Sequence, residues 1–176
     1  MKNKHEVVRD YVKIIANRKG EDYEVLVSEQ DFLLVSSFGG TWSVDNRGYV
    51  RRTINKKLDL MHRLIMEPAE GMIVDHINGN TLDNRRENLR VLKPSENQQN
   101  IIKHQKASET GFKGVSKEKR WGDRYRARIN KFGKEVSLGY YDEEYDAQIA
   151  AIVGRILYHP HSREKAIYDK LKSELR

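Results

Sequence analysis

The run Val74-Asp75-His76-Ile77-Asn78-Gly79-Asn80-Thr81-Leu82-Asp83-Asn84-Arg85-Arg86-Glu87-Asn88-Leu89-Arg90-Val91 constrains the fold more than any other part of the chain. A strand carrying Asp75 and His76 turns at Asn78-Gly79 into a polar loop, returns through Leu89 to Val91, and enters a helix near Pro94 to Asn100. Neighbouring side chains of a regular strand point to opposite faces. Asp75 and His76 can therefore serve one phosphate only if a bulge or a strand end intervenes. The residue types suit metal-assisted phosphodiester chemistry. A carboxylate supplies a hard oxygen ligand and an amide a second one, and a neutral imidazole near its working pH can take a proton from an attacking water.

Composition removes several competing readings. The 176 residues contain no cysteine, so disulfides, Cys-based zinc sites, iron–sulfur clusters and thiol nucleophiles are excluded, and any metal must be held by oxygen or imidazole. The longest apolar runs, Phe32 to Val35 and Ile149 to Val153, fall far short of the roughly 20 residues of a bilayer span. No membrane helix is expected, and the polar start at Met1 predicts a cytoplasmic location. Charged residues of both signs make up 34% of the chain and are interspersed, which favours a folded protein of one or two small domains.

The net charge of +7 is localised. Residues 103–141 carry 11 Lys or Arg and 4 Glu or Asp, which accounts for all of it, and Phe112, Trp121, Tyr125, Phe132, Tyr140 and Tyr141 are interleaved there. Basic residues mixed with aromatics, without a continuous amphipathic helix, point to nucleic acid rather than to a membrane surface. Within the segment Arg124-Tyr125-Arg126-Ala127-Arg128-Ile129 alternates strictly, so a strand presents three arginines on one face and Tyr125, Ala127 and Ile129 on the other. Val136, Leu138 and Tyr140 alternate likewise after a turn at residues 130–134. Glu143 to Tyr158 places Ala147, Ala150, Ala151, Gly154 and Leu157 at helical spacing, with small residues that let a helix lie close on a sheet. Upstream, Tyr11 to Ile15 and Tyr23 to Val27 predict a hairpin around residues 17–22. Ser28 predicts a capped helix stopped by Gly39-Gly40, residues 42–44 and 48–52 a second hairpin, and Lys57 to Met66 a helix that carries His62 as a packing residue.

Met61-His62-Arg63-Leu64-Ile65, Asp75-His76-Ile77-Asn78-Gly79, Asp83-Asn84-Arg85, Glu87-Asn88-Leu89-Arg90 and Glu96-Asn97 together resemble the HNH family of ββα-metal nucleases, in particular the homing endonucleases of phages and their introns. The resemblance implies that His76 is the general base, that Asp75 and Asn97 ligate one divalent cation, Mg²⁺ with Mn²⁺ as the alternative, and that Asn88 holds the loop and the histidine in place. Arg85, Arg86 and Arg90 either clamp phosphates near the scissile bond or pair with Asp83 and Glu87, and Arg86 and Arg90 are the candidates for the phosphate role. Thr110-Gly111-Phe112-Lys113-Gly114-Val115-Ser116, Trp121, Arg124 to Ile129, Gly133-Lys134, Leu138-Gly139-Tyr140-Tyr141-Asp142 and Glu144 to Ala150 resemble the Apetala-two/ethylene-response-factor domain, which lays a three-stranded sheet in the DNA major groove. That resemblance implies a DNA-facing set of Arg120, Trp121, Arg124, Arg126 and Arg128.

The expected fold class is α+β: a ββα-metal nuclease unit preceded by short hairpins and followed by a three-stranded antiparallel sheet packed on one helix. The expected division is an HNH nuclease domain with N-terminal strands over 1–102, a linker over 103–110, a DNA-binding domain over 111–160 and a tail over 161–176. The expected function is a homing-type, strand-nicking DNA endonuclease acting as a monomer on double-stranded DNA. The alternative is a non-cleaving, sequence-specific DNA-binding regulator on a nuclease scaffold.

Overall fold

Strands β2 (Tyr11–Arg18) and β3 (Glu21–Ser28) pair antiparallel over their whole length. The two-residue turn between them needs left-handed backbone at both positions, and Lys19 (φ 51°) and Gly20 (φ 91°) supply it. The alternation of the sequence is realised in packing: Val12, Ile14, Ala16, Val25 and Val27 are fully buried. The structure is a computed structural model that describes residues 1–37, 39–97, 110–119, 122–131 and 133–175, and it divides into two units, Met1–Pro94 and Ser95–Arg176.

In the first unit β1 (His5–Val8) also pairs with β2, and helix α1 (Glu29–Ser36) follows β3. Strands β4 (Ser43–Val44), β5 (Val50–Ile54) and β6 (Lys57–Leu60) extend the sheet on one side, and β8 (Asp83–Asn84) joins β3 in parallel on the other. Trp42, Val35, Val50, Met61 and Ile65 complete the core against β2 and β3. The end of α1 is closed by a side chain from β5. Arg52 is 2% exposed, lies over the Trp42 ring at 4.5 Å, and donates from Nη1 to the carbonyls of Val35 (3.2 Å) and Ser37 (3.0 Å). Those carbonyls have no partner inside the helix, and a buried guanidinium satisfies them.

Two sequence expectations are corrected here. Residues 57–60 are strand, not the first turn of a helix, because Asn55 (φ 50°) and Lys56 (φ 64°) form a tight turn that folds them back on β5. Helix α2 is only Met61–Met66, and it packs Met61, His62 and Ile65 inward. Ser28 precedes α1 but does not cap it; its hydroxyl accepts from the backbone N–H of Arg86 at 2.8 Å.

The remainder of the first unit is the ribbon β7 (Ile73–His76) and β9 (Leu89–Leu92), antiparallel, joined through β8 and a 3₁₀ turn over Arg86–Asn88. Helix α3 (Pro94–Asn97) follows β9.

In the second unit β10 (Val115–Glu118), β11 (Arg124–Lys131) and β12 (Lys134–Tyr141) form an antiparallel sheet. Helix α4 (Glu144–Tyr158) packs Ala147 and Ala151 against it with Val115 and Ala127. Gly154 lies so close that a Cβ there would sit 2.5 Å from Leu138 Cδ1. The register shifts between Ala127 and Arg128, so Leu138 is an extra residue on β12. This reverses the expected alternation beyond it: Tyr140 is 45% exposed beside Arg126, and Tyr141 turns to the core. The tail at 163–174, to which the sequence assigned no element, is helix α5 (Arg163–Glu174), capped by Ser162, whose Oγ accepts from the Lys165 N–H at 3.1 Å. Among the described residues no helix is long and apolar enough to cross a membrane.

Candidate active site

Asp75 and His76 end strand β7, and no bulge separates them: Asp75 pairs with Arg90 and His76 with Leu89 in continuous register. Their side chains leave the ribbon on opposite faces, and the strand end supplies the change of direction. Ile77 N–H donates to Asn88 O at 2.8 Å, and the chain turns at once through Gly79 (φ 75°). On one face Arg90 reaches Asp75 from both Nε and Nη2, each 2.9 Å from Oδ2. On the other, His76 is 4% exposed, with Nε2 3.4 Å from Asn84 Oδ1. Its ring centroid is 5.2 Å from that of His62, edge on, and 6.0 Å from that of Tyr49. Burial lowers the pKa of His76 below the ordinary imidazole value, while Asn84 and the charges of Asp75 and Asp83 act in the other direction.

The polar loop between the strands is held by its own amides. Asn88, 6% exposed, donates from Nδ2 to Asp83 O (2.7 Å) and accepts at Oδ1 from Asn78 N–H (2.9 Å). Asn78 Nδ2 donates to Asp83 Oδ2 at 2.9 Å, and Arg85 forms a two-point pair with Asp83 at 2.8 Å for each bond. Burial works against the Asp83 charge, yet these donors hold its carboxyl below the usual carboxylate range. Asn88 thus fastens the loop, and Asn84 is the amide that meets the imidazole.

Arg85, not Arg86 or Arg90, takes both in-loop acids, reaching Glu87 at 3.0 Å as well as Asp83. Arg86 pairs with Asp31 of α1 at 2.6 Å and donates to Ile65 O at 3.1 Å, so it ties the loop to two helices. Arg90 pairs with Asp75. Asn97 closes α3, half-buried, on the second unit's side of the division. His62 is 5% exposed with Nδ1 buried and unpartnered, and burial, then the charges of His76 and Arg63, lowers its pKa to about 4. Asn84 and His62 fall inside the sequence motifs, yet nothing in those motifs gives either a role in the site. Their contacts with His76 come from β8 and α2, and no spacing within the loop reveals them.

On the outer face of the second unit's sheet Arg124, Arg126 and Arg128 lie in a row, with Ala127 and Ile129 buried behind them. Each has an acidic neighbour. Asp142 is 2.8 Å from Arg124, and Glu135 spans two arginines, Oε1 to Arg126 at 2.7 Å and Oε2 to Arg128 at 2.9 Å. Arg120 and Trp121 lie outside the described residues.

A strand ending in Asp-His, an Asn-fastened loop and a return strand make up the candidate site within the first unit. Residues 59–99 match the family model for HNH endonuclease, so an HNH domain is present, and at the level of that family the match supports a metal-dependent nuclease acting on DNA. No curated protein and no solved structure matches the chain.

Proposed function

We propose that the chain is a homing-type DNA endonuclease that nicks double-stranded DNA as a monomer, with the HNH unit cutting and the sheet of the second unit supplying affinity and register. The observation that carries this reading is His76 at the end of β7, held between Asn84 and His62, beside Asp75 and inside the matched segment. His76 takes a proton from a water whose oxygen attacks phosphorus in line. The bond to the 3′ oxygen breaks, and that oxygen leaves to be protonated by solvent.

The donor chemistry fits one hard divalent cation. An Asp carboxylate with an Asn amide suits an ion that keeps waters and takes a substrate phosphate oxygen, as Mg²⁺ does. Asp75 and, by the motif pattern, Asn97 would hold it. When bound it neutralises charge that develops on the phosphoryl group and the leaving oxygen. Asn88 and Asn84 orient, Arg86 and Arg90 brace the loop and Asp75, and Arg120, Trp121, Arg124, Arg126 and Arg128 are the proposed DNA-facing set.

Supercoiled plasmid incubated with the protein and Mg²⁺ is expected to become open circular. EDTA or His76→Ala is expected to abolish this. Plasmid that stays supercoiled while the protein binds one site tightly overturns the enzymatic reading in favour of a DNA-binding regulator.

A further inference from the structure

The imidazole of His76 has two nitrogens with unlike surroundings. Nε2 faces Asn84 Oδ1 at 3.4 Å, whereas Nδ1 is not among the sealed, unpartnered atoms of the described residues. The direction of the Asn84 amide is fixed by its far end, since Nδ2 donates to Thr81 O at 3.3 Å and Thr81 Oγ1 is in turn anchored on Gly48 O at 2.8 Å. The atom turned to the imidazole is therefore oxygen, which only accepts. A neutral imidazole carries one proton. With the proton on Nδ1, two lone pairs would face each other between Nε2 and Oδ1; with it on Nε2 the contact is a hydrogen bond.

Asn84 has little freedom to answer otherwise. It is fully buried, its backbone pairs with Val27 in the sheet, and the His62 and Tyr49 rings bound the His76 ring. We propose that Asn84 is a positioning residue that fixes His76 as the Nε2–H tautomer and so makes Nδ1 the atom that receives the proton of the attacking water. The catalytic half of this inference rests on the reading of His76 as general base, and the tautomer itself does not.

Long-range ¹H–¹⁵N spectra of histidine-labelled protein at neutral pH separate the two tautomers directly. His76 is expected to give the Nε2–H pattern in the wild type and to gain Nδ1–H character in Asn84→Leu, which keeps similar bulk without an acceptor. Plasmid nicking by Asn84→Leu is expected to lose about 10²-fold in kcat, with KM for DNA changed less than about threefold. Asn84→Asp loses the donor to Thr81 but keeps the acceptor, and it is expected to retain the Nε2–H pattern and to recover at least about tenfold of that rate. An Nδ1–H pattern in the wild type, or an unchanged pattern in Asn84→Leu, overturns the inference. A wild type that shows the Nε2–H pattern but never nicks overturns only the catalytic reading.

Discussion

Arg90 stands directly across the β7–β9 ribbon from Asp75 and aims two nitrogens at one carboxylate oxygen, each at 2.9 Å. Both side chains are 17% exposed, so the pair is only partly screened by water. Arg90→Met removes that cation from the acid proposed to hold the metal. The variant is expected to lose about 1–3 kcal/mol of stability and to be stabilised by Mg²⁺ more than the wild type is. Thermal melts with and without Mg²⁺ check this, and equal Mg²⁺ shifts in the two proteins count against Asp75 as a ligand.

His62 makes stability depend on pH. Its folded-state pKa, about 4, lies below the 6.5 of a free imidazole, so between those values the unfolded chain binds a proton that the folded chain does not. Unfolding free energy therefore rises with pH across that window, is complete above it, and is lost as pH falls through it, by at most about 3 kcal/mol for this group. His62→Phe keeps a ring against His76 and removes the titration. Urea unfolding at several pH values is expected to show a shallower slope in the variant, the remainder including the lowered pKa of His76.

Glu135 occupies two of the three outer-face arginines, and a phosphate must displace it to reach them. Glu135→Gln is expected to tighten duplex DNA binding and to steepen the log–log salt dependence by about one, while Arg126→Ala moves both in the opposite direction. Fluorescence anisotropy over a salt series reads both quantities. Unchanged affinity and slope in both variants would place the binding face elsewhere.

Arg52 is expected to be structural. Replacing it by Met leaves Ser37 O without this donor and Val35 O with the Trp42 indole N–H in its place, and takes the cation from the Trp42 ring and from Asp59, at about 2–4 kcal/mol. Chemical denaturation checks this, and a loss below about 1 kcal/mol would mean that water replaces the guanidinium.

Short-range patterns decide what short-range patterns can. The β2–β3 hairpin, the burial of Ala127 and Ile129 behind the arginines, and the close lie of α4 on its sheet follow from a period of two, from turn residues and from small side chains, all local properties of the chain. The Asp-His pair, its Asn-rich loop and the return strand were legible in the same way. Local propensity misjudged residues 57–60, where a turn with left-handed backbone at Asn55 and Lys56 outweighs an apolar spacing that reads as helix. It also passed over the bulge at Leu138, which exchanges the faces of Tyr140 and Tyr141. The partners of the site lay beyond it altogether. Arg86 meets Asp31 55 positions away in sequence, and His76 meets His62 through a separate helix. Such contacts form because the sheet and helices bury one common apolar core, which brings charges and rings together whatever their separation along the chain. By itself the sequence determined that Asp75, His76 and the Asn-rich loop share one ribbon; the tertiary structure decided which nitrogen of His76 faces Asn84 and which acids hold each arginine, because those choices depend on packing across elements rather than on spacing within one.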